Sequence, residues 1–206
     1  VLLQMTLVAF SDIIQIAREW NSDGLLKSFV LSNIHGLSPN FINGVKTVDY
    51  EETKQLYLHI LDAYEKHQDW VVLKIFLDEC LAYWKDRPII DAGQSVPMAT
   101  CMPINSKIYI DSQMQIGICE KVADKYRIGN VKNGIDWKRA NEIVEEYYHK
   151  RVERCKYCPA IRMCDMCLTA VEYSDEQWDI LCHNERVYAQ IFMFLYCEMA
   201  ERGLIK

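Results

Sequence analysis

Cys155-Lys156-Tyr157-Cys158-Pro159-Ala160-Ile161-Arg162-Met163-Cys164-Asp165-Met166-Cys167 places four thiols within thirteen residues, and Cys182 follows one short segment later. Thiols crowded this closely point first to metal, because thiolate is the preferred ligand of zinc and of iron–sulfur clusters. Two cysteines separated by two residues, such as Cys155 and Cys158, can send both sulfurs to one centre. Pro159 suits the first turn of a short helix, which predicts Cys164 and Cys167 on one face, three residues apart. Cys101 and Cys119 stand upstream, giving seven cysteines in one C-terminal region. Seven suits two clusters better than one ion.

The remaining two of the nine cysteines read differently. Cys80 falls among Leu77, Leu81 and Trp84 in a predicted helix, where a thiol behaves as a small hydrophobe. Cys197 projects away from the apolar face of the last predicted helix and is left out of the site. Without a secretory signal, nine cysteines argue for a reducing, cytoplasmic setting in which thiols serve metals rather than a disulfide framework. The five histidines, His35, His59, His67, His149 and His183, are assigned no role; His183 alone adjoins a candidate ligand, Cys182.

The chain has 206 residues, half of them apolar or aromatic, enough for one substantial domain or a part-domain with a smaller one. No run is long enough to span a bilayer, so a membrane is not an expected partner. The net charge is -6, and no cluster of Lys and Arg offers a track for phosphates, which excludes nucleic acid as an expected partner. The chain opens on Val rather than Met, and we expect it to be a piece of something longer.

Along the chain, Leu2–Phe10 reads as a buried strand. Ser11-Asp12 would cap a helix in which Ile13, Ile14 and Ala17 recur at helical spacing. Leu25–Ile34 reads as a second buried strand, with helix as the alternative, and Gly36–Thr47 as a loop. Strand, helix, strand is the unit of a parallel sheet. Asp49 and Glu52 form a capping-box pattern opening a helix to about Lys66, and a second helix is predicted over Trp70–Trp84, stopped before Pro88. The loop-like composition of Asp91–Pro103 marks a boundary, giving domains at 1–90 and 91–206.

Beyond that boundary, Lys107–Asp111 and Gln115–Cys119 read as arms of a β-hairpin turning at Ser112–Met114. Ile128–Val131 and Asn133-Gly134 read as turns. Asp136 caps a helix striped by Ala140, Ile143, Val144, Tyr147, Tyr148 and Val152, with His149, Lys150 and Arg151 late, as the helix dipole favours. That helix delivers the chain to Cys155. The last helix is predicted to open at Asn184, to present Val187, Tyr188, Ile191, Phe192, Leu195 and Met199, and to end at Gly203.

The order C101-x17-C119, gap, C155-x2-C158-x5-C164-x2-C167, gap, C182 resembles the SPASM domain. That domain is the C-terminal auxiliary-cluster module of radical S-adenosylmethionine enzymes that modify ribosomal peptides. The hairpin leading to Cys119 and the turn at Ile128–Val131 are also similar to that family, and the resemblance covers about residues 98–203. Two positions depart from the family pattern: Met114 stands where the family has glycine, and Cys164 and Cys167 are separated by two residues instead of three. The resemblance implies an α+β fold, the remnant of a partial (β/α) barrel followed by a small SPASM-type domain built around two clusters. Cys155, Cys158, Cys164 and Cys182 would hold an outer [4Fe–4S] cluster, and Cys101, Cys119 and Cys167 an inner one with an open iron, a non-cysteine ligand or Cys80 as its fourth partner. S-adenosylmethionine and a third [4Fe–4S] cluster would belong to a preceding part, since no C-x3-C-x2-C loop occurs in this chain.

Function implied by the resemblance is modification of a precursor peptide, with a thioether cross-link the expected product. Two other readings stay open. Cys155, Cys158, Cys164 and Cys167 as one tetrahedral zinc site would make the chain a non-catalytic interaction module, although zinc pairs are ordinarily a dozen or more residues apart. An electron-transfer protein like a two-cluster ferredoxin is the third, against which stands the long helical half.

Overall fold

The computed structural model describes residues 13–22, 47–85, 108–120, 124–161, 163, 164, 166 and 168–205. The expected strands Leu2–Phe10 and Leu25–Ile34, the Ser11-Asp12 cap, the loop before Val48 as far as Lys46, and the boundary at Asp91–Pro103 lie outside these residues. The chain divides into two compact units, the first drawn from 1–34, 48–88 and 187–206, the second from 35–47 and 89–186. Residues 187–206, grouped by sequence with the second domain, pack in the first.

In the first unit, α1 (Ile13–Ser22), α2 (Tyr50–Lys66) and α3 (Val71–Lys85) pack with the later part of α5 (Asp175–Glu201). Asp49 caps α2 by accepting the Glu52 backbone N–H at 2.8 Å, as its spacing predicts. Tyr57, Ile60 and Leu61 of α2 meet Leu73, Phe76, Leu77 and Leu81 of α3. From α5 come Val187, Ile191, Leu195 and Met199, four positions of the expected stripe. Burying each such side chain contributes about 1.5–3 kcal/mol, which makes apolar packing the main support of this unit. The end of α5 is closed by the Gly203 N–H donating to the Ala200 carbonyl at 3.1 Å and that of Leu204 to Met199 at 2.8 Å, the paired bonds of a glycine-terminated helix. Arg202 then reaches Asp62 at 2.6 Å and Glu65 at 3.0 Å.

Among its described residues, the second unit has an antiparallel four-stranded sheet in the order β1 (Tyr109–Ile110), β2 (Gln115–Gly117), β3 (Arg127–Asn130), β4 (Gly134–Ile135). The predicted hairpin is present. Asp111 fastens its turn: its carboxylate accepts the Gln113 and Gln115 N–H groups at 2.8 and 2.9 Å and pairs with Arg127 at 2.8 Å. Those backbone donors, Gln115 foremost, hold the Asp111 carboxyl below its ordinary pKa.

Ile128–Val131, expected as a turn, is instead mostly strand, and the chain reverses at Val131–Asn133. The reason is Gly129, which has φ +145° and lies so close to β4 that a Cβ there would stand 2.1 Å from the Gly134 carbonyl oxygen. Glycine here permits a close strand approach rather than a reversal.

Asp136 caps α4 (Trp137–Cys155), accepting the Arg139 N–H at 3.0 Å. Ala140, Ile143 and Tyr147 are buried against Ile116, Ile118, Tyr126 and Ile128 of the sheet region and against Trp178, which is fully buried and donates its indole N–H to the Ala170 carbonyl at 2.9 Å. A 3-10 segment, Leu168–Glu172, supplies Leu168, Ala170 and Val171 to the same core. Helix α5 begins at Asp175, nine residues before the expected Asn184. Its start is a capping box: the Ser174 hydroxyl accepts the Gln177 N–H at 3.3 Å, and the Gln177 side chain accepts the Ser174 N–H at 2.8 Å.

Candidate metal centre

Five of the seven candidate ligands, Cys119, Cys155, Cys158, Cys164 and Cys182, fall among the described residues, and all belong to the second unit. Cys101 and Cys167 lie outside them.

Cys155 is the last residue of α4 and is buried. The segment after it is a run of tight turns instead of the short helix expected from Pro159. The N–H of Cys158 donates to the Cys155 carbonyl at 3.0 Å, that of Ile161 to Cys158 at 3.2 Å, and that of Cys164 to Ala160 at 2.9 Å. These turns fold the chain back so that Cys164 is buried in the unit's core. Cys182 lies on α5, placed by the early start of that helix, and it packs against the same core, as does Cys119 after β2. The Cys119 thiol also stands 3.4 Å from the Glu120 carboxylate.

Electrostatics tie these sulfurs together. Burial, helped by the thiols of Cys155 and Cys158 and opposed by Arg186 and Arg154, pushes the Cys182 thiol up to about 11. Burial likewise raises Cys155, with Arg151 and Arg154 pulling the other way. Arg154, beside Cys155, reaches across to α5 and pairs with Asp175 at 2.9 Å and with Asp179, three residues before Cys182. The acids are largely exposed, so the pairs add little stability, but they join the two helix segments that carry Cys155 and Cys182.

Arg151, one of the late cations that the helix dipole favours, is 0% exposed. Its Nη1 donates to the Met166 carbonyl at 2.9 Å and to the Tyr147 hydroxyl at 3.1 Å, and that hydroxyl donates to the same carbonyl at 2.7 Å. Burial works against the guanidinium charge, but Tyr147, Cys164 and Cys155 together hold its pKa above the ordinary value.

Among the described residues, no three His, Cys, Asp or Glu side chains already stand in the arrangement of a metal site. The chemistry of the donors nevertheless fits a soft metal or cluster: Cys155, Cys158 and Cys182 lie within one another's electrostatic reach, and buried Cys155 and Cys164 both lie near the buried Arg151. Cys80 belongs to the first unit's helical core, and Cys197 is exposed, as their spacings predict. The four described histidines, His59, His67, His149 and His183, are exposed, and His67 stacks on Trp70 at 4.0 Å. Among the described residues, no helix is long and apolar enough to cross a membrane.

No family model matches the sequence, and no curated protein or solved structure is detectably similar to it.

Proposed function

We propose that this chain is the auxiliary-cluster portion of a cytoplasmic radical S-adenosylmethionine enzyme that modifies a ribosomally made peptide, with thioether cross-linking as the reaction. The observation that carries the reading is that Cys155, Cys158 and Cys182, from two helix segments and a turn, lie within one another's electrostatic reach, and that Arg151 feels both Cys155 and Cys164. These four would hold the outer [4Fe–4S] cluster; Cys119, with Cys101 and Cys167, would hold the inner one. When bound, such clusters accept electrons and present iron to a substrate thiol. The chain's own contribution is positional: α4 and α5 fix two sulfurs through the Arg154 bridge, the turns after Cys155 deliver Cys164, and burial of Cys155 and Cys164 keeps water from the sulfurs. The S-adenosylmethionine site and the third cluster would lie in a part outside this chain.

Anaerobic reconstitution with iron and sulfide tests this. The expected result is about eight irons per chain, four for each of two clusters, with a brown colour and broad visible absorption. One or two zinc ions per purified chain, with no iron uptake and no visible band, would make the zinc interaction module the better description.

A further inference from the structure

A thiolate at Cys155 faces an unfavourable location. It is the final residue of α4, and the C-terminal end of a helix carries partial negative charge that repels an anion. Two or more thiolates on a metal add to that negative charge. The sequence places Arg151 one helical turn before Cys155, so both side chains share a face. The guanidinium is sealed from water and holds the Met166 carbonyl, two residues beyond Cys164. Tyr147, one turn earlier, grips that carbonyl too. Tyr147 and Arg151 therefore fasten the loop bearing Cys164 to the helix bearing Cys155.

We propose that Arg151, assisted by Tyr147, is the positioning residue of the thiolate centre: it clamps the Cys164 loop beside Cys155 and supplies the buried positive charge that a metal–thiolate core at a helix C-terminus requires. The inference rests on the reading of these cysteines as metal ligands, though not on which metal they hold. A buried arginine beside metal-ligating thiolates acts on affinity through both orientation and charge, and loss of such outer partners typically weakens metal binding about 10–100-fold.

The test is anaerobic titration of the full chain with Co2+ as probe metal, following the thiolate-to-cobalt charge-transfer band in competition with a chelator. The metal-free proteins are compared in parallel by chemical denaturation. Arg151→Met should weaken Co2+ binding about 10–100-fold. Arg151→Lys, which restores charge without the forked clamp, should recover part of that loss, and Tyr147→Phe, which keeps the guanidinium, should lose less than Arg151→Met. Wild-type affinity in Arg151→Met would overturn the proposal and leave Arg151 a structural anchor. So would a loss in Arg151→Met that Arg151→Lys does not lessen. If Arg151→Met does not fold, wild-type affinity in both Arg151→Lys and Tyr147→Phe overturns the proposal in the same way. A wild-type chain that shows no charge-transfer band overturns the metal-ligand reading itself, which distinguishes that failure from failure of the Arg151 role.

Discussion

Cys80 in the first unit and Cys164 in the second are equally hidden from water, each 7% exposed, yet their neighbours differ in kind. Cys80 is packed among Leu77, Leu81 and Phe76, with the Tyr57 hydroxyl as its polar neighbour. Cys164 lies near the buried guanidinium of Arg151. Burial in an apolar core disfavours the thiolate and makes a cysteine inert, whereas a nearby cation favours the charged, metal-binding form. Exposure alone does not separate a structural thiol from a candidate ligand; a cation beside it marks the second setting, although at Cys155 burial still outweighs Arg151 and Arg154.

The largest effect that sharpens this contrast is expected in the first unit. Leu73 is fully buried between helices, so Leu73→Ala should destabilise the protein by about 2–5 kcal/mol through lost burial and the cavity left behind. Because this unit is held by apolar packing, the loss measured by chemical denaturation should be the same with and without bound metal. A loss confined to the metal-loaded protein would break the comparison.

A smaller pair of effects divides the two cysteines directly. Cys80→Ala removes a sulfur from a packed core and a neighbour from Tyr57; it should lower stability by about 1 kcal/mol and leave metal uptake untouched. Cys164→Ala, equally buried, should cost a similar metal-free stability of about 1 kcal/mol but, unlike Cys80→Ala, lose a thiolate in the cobalt spectrum. Loss of metal in Cys80→Ala would instead make Cys80 a ligand, the alternative left open for the inner cluster.

Much of this contrast was legible in the sequence because local rules govern it. Asp49 and Asp136 cap the helices their spacing predicts, and the hairpin around Ser112–Met114 forms. Cys80 was readable because its neighbours along α3 are its neighbours in space. Other features depend on partners distant in the chain. Arg151 follows the helix-dipole pattern, which does not say that its guanidinium is buried on a carbonyl fifteen residues away. The Ser174–Gln177 capping box stands in the letters, but the apolar stripe from Val187 onward points to a start at Asn184 and hides the helical setting of Cys182. Gly129 reads as a turn because a glycine beside an asparagine gives the same signal whether it reverses the chain or admits a neighbouring strand.

The smallest expected effect belongs to the second unit's hairpin, a motif without a counterpart among the described residues of the first. Met114 has φ +59°, in the left-handed region, at the last position of a three-residue loop where glycine is favoured. A side chain there strains the backbone by about 1–2 kcal/mol. Met114 is 61% exposed, so removing its side chain loses little packing. Glycine would relieve the strain but add flexibility to the unfolded chain, opposing the gain by about 0.5–1 kcal/mol. Met114→Gly should therefore raise stability by roughly 0.5–1 kcal/mol, seen as a higher denaturation midpoint. Met114→Ala, which keeps the Cβ and hence the strain, should stay near wild type. Should alanine stabilise as much as glycine, the gain would come from removing an exposed apolar side chain. Turn geometry would then not explain why this position favours glycine.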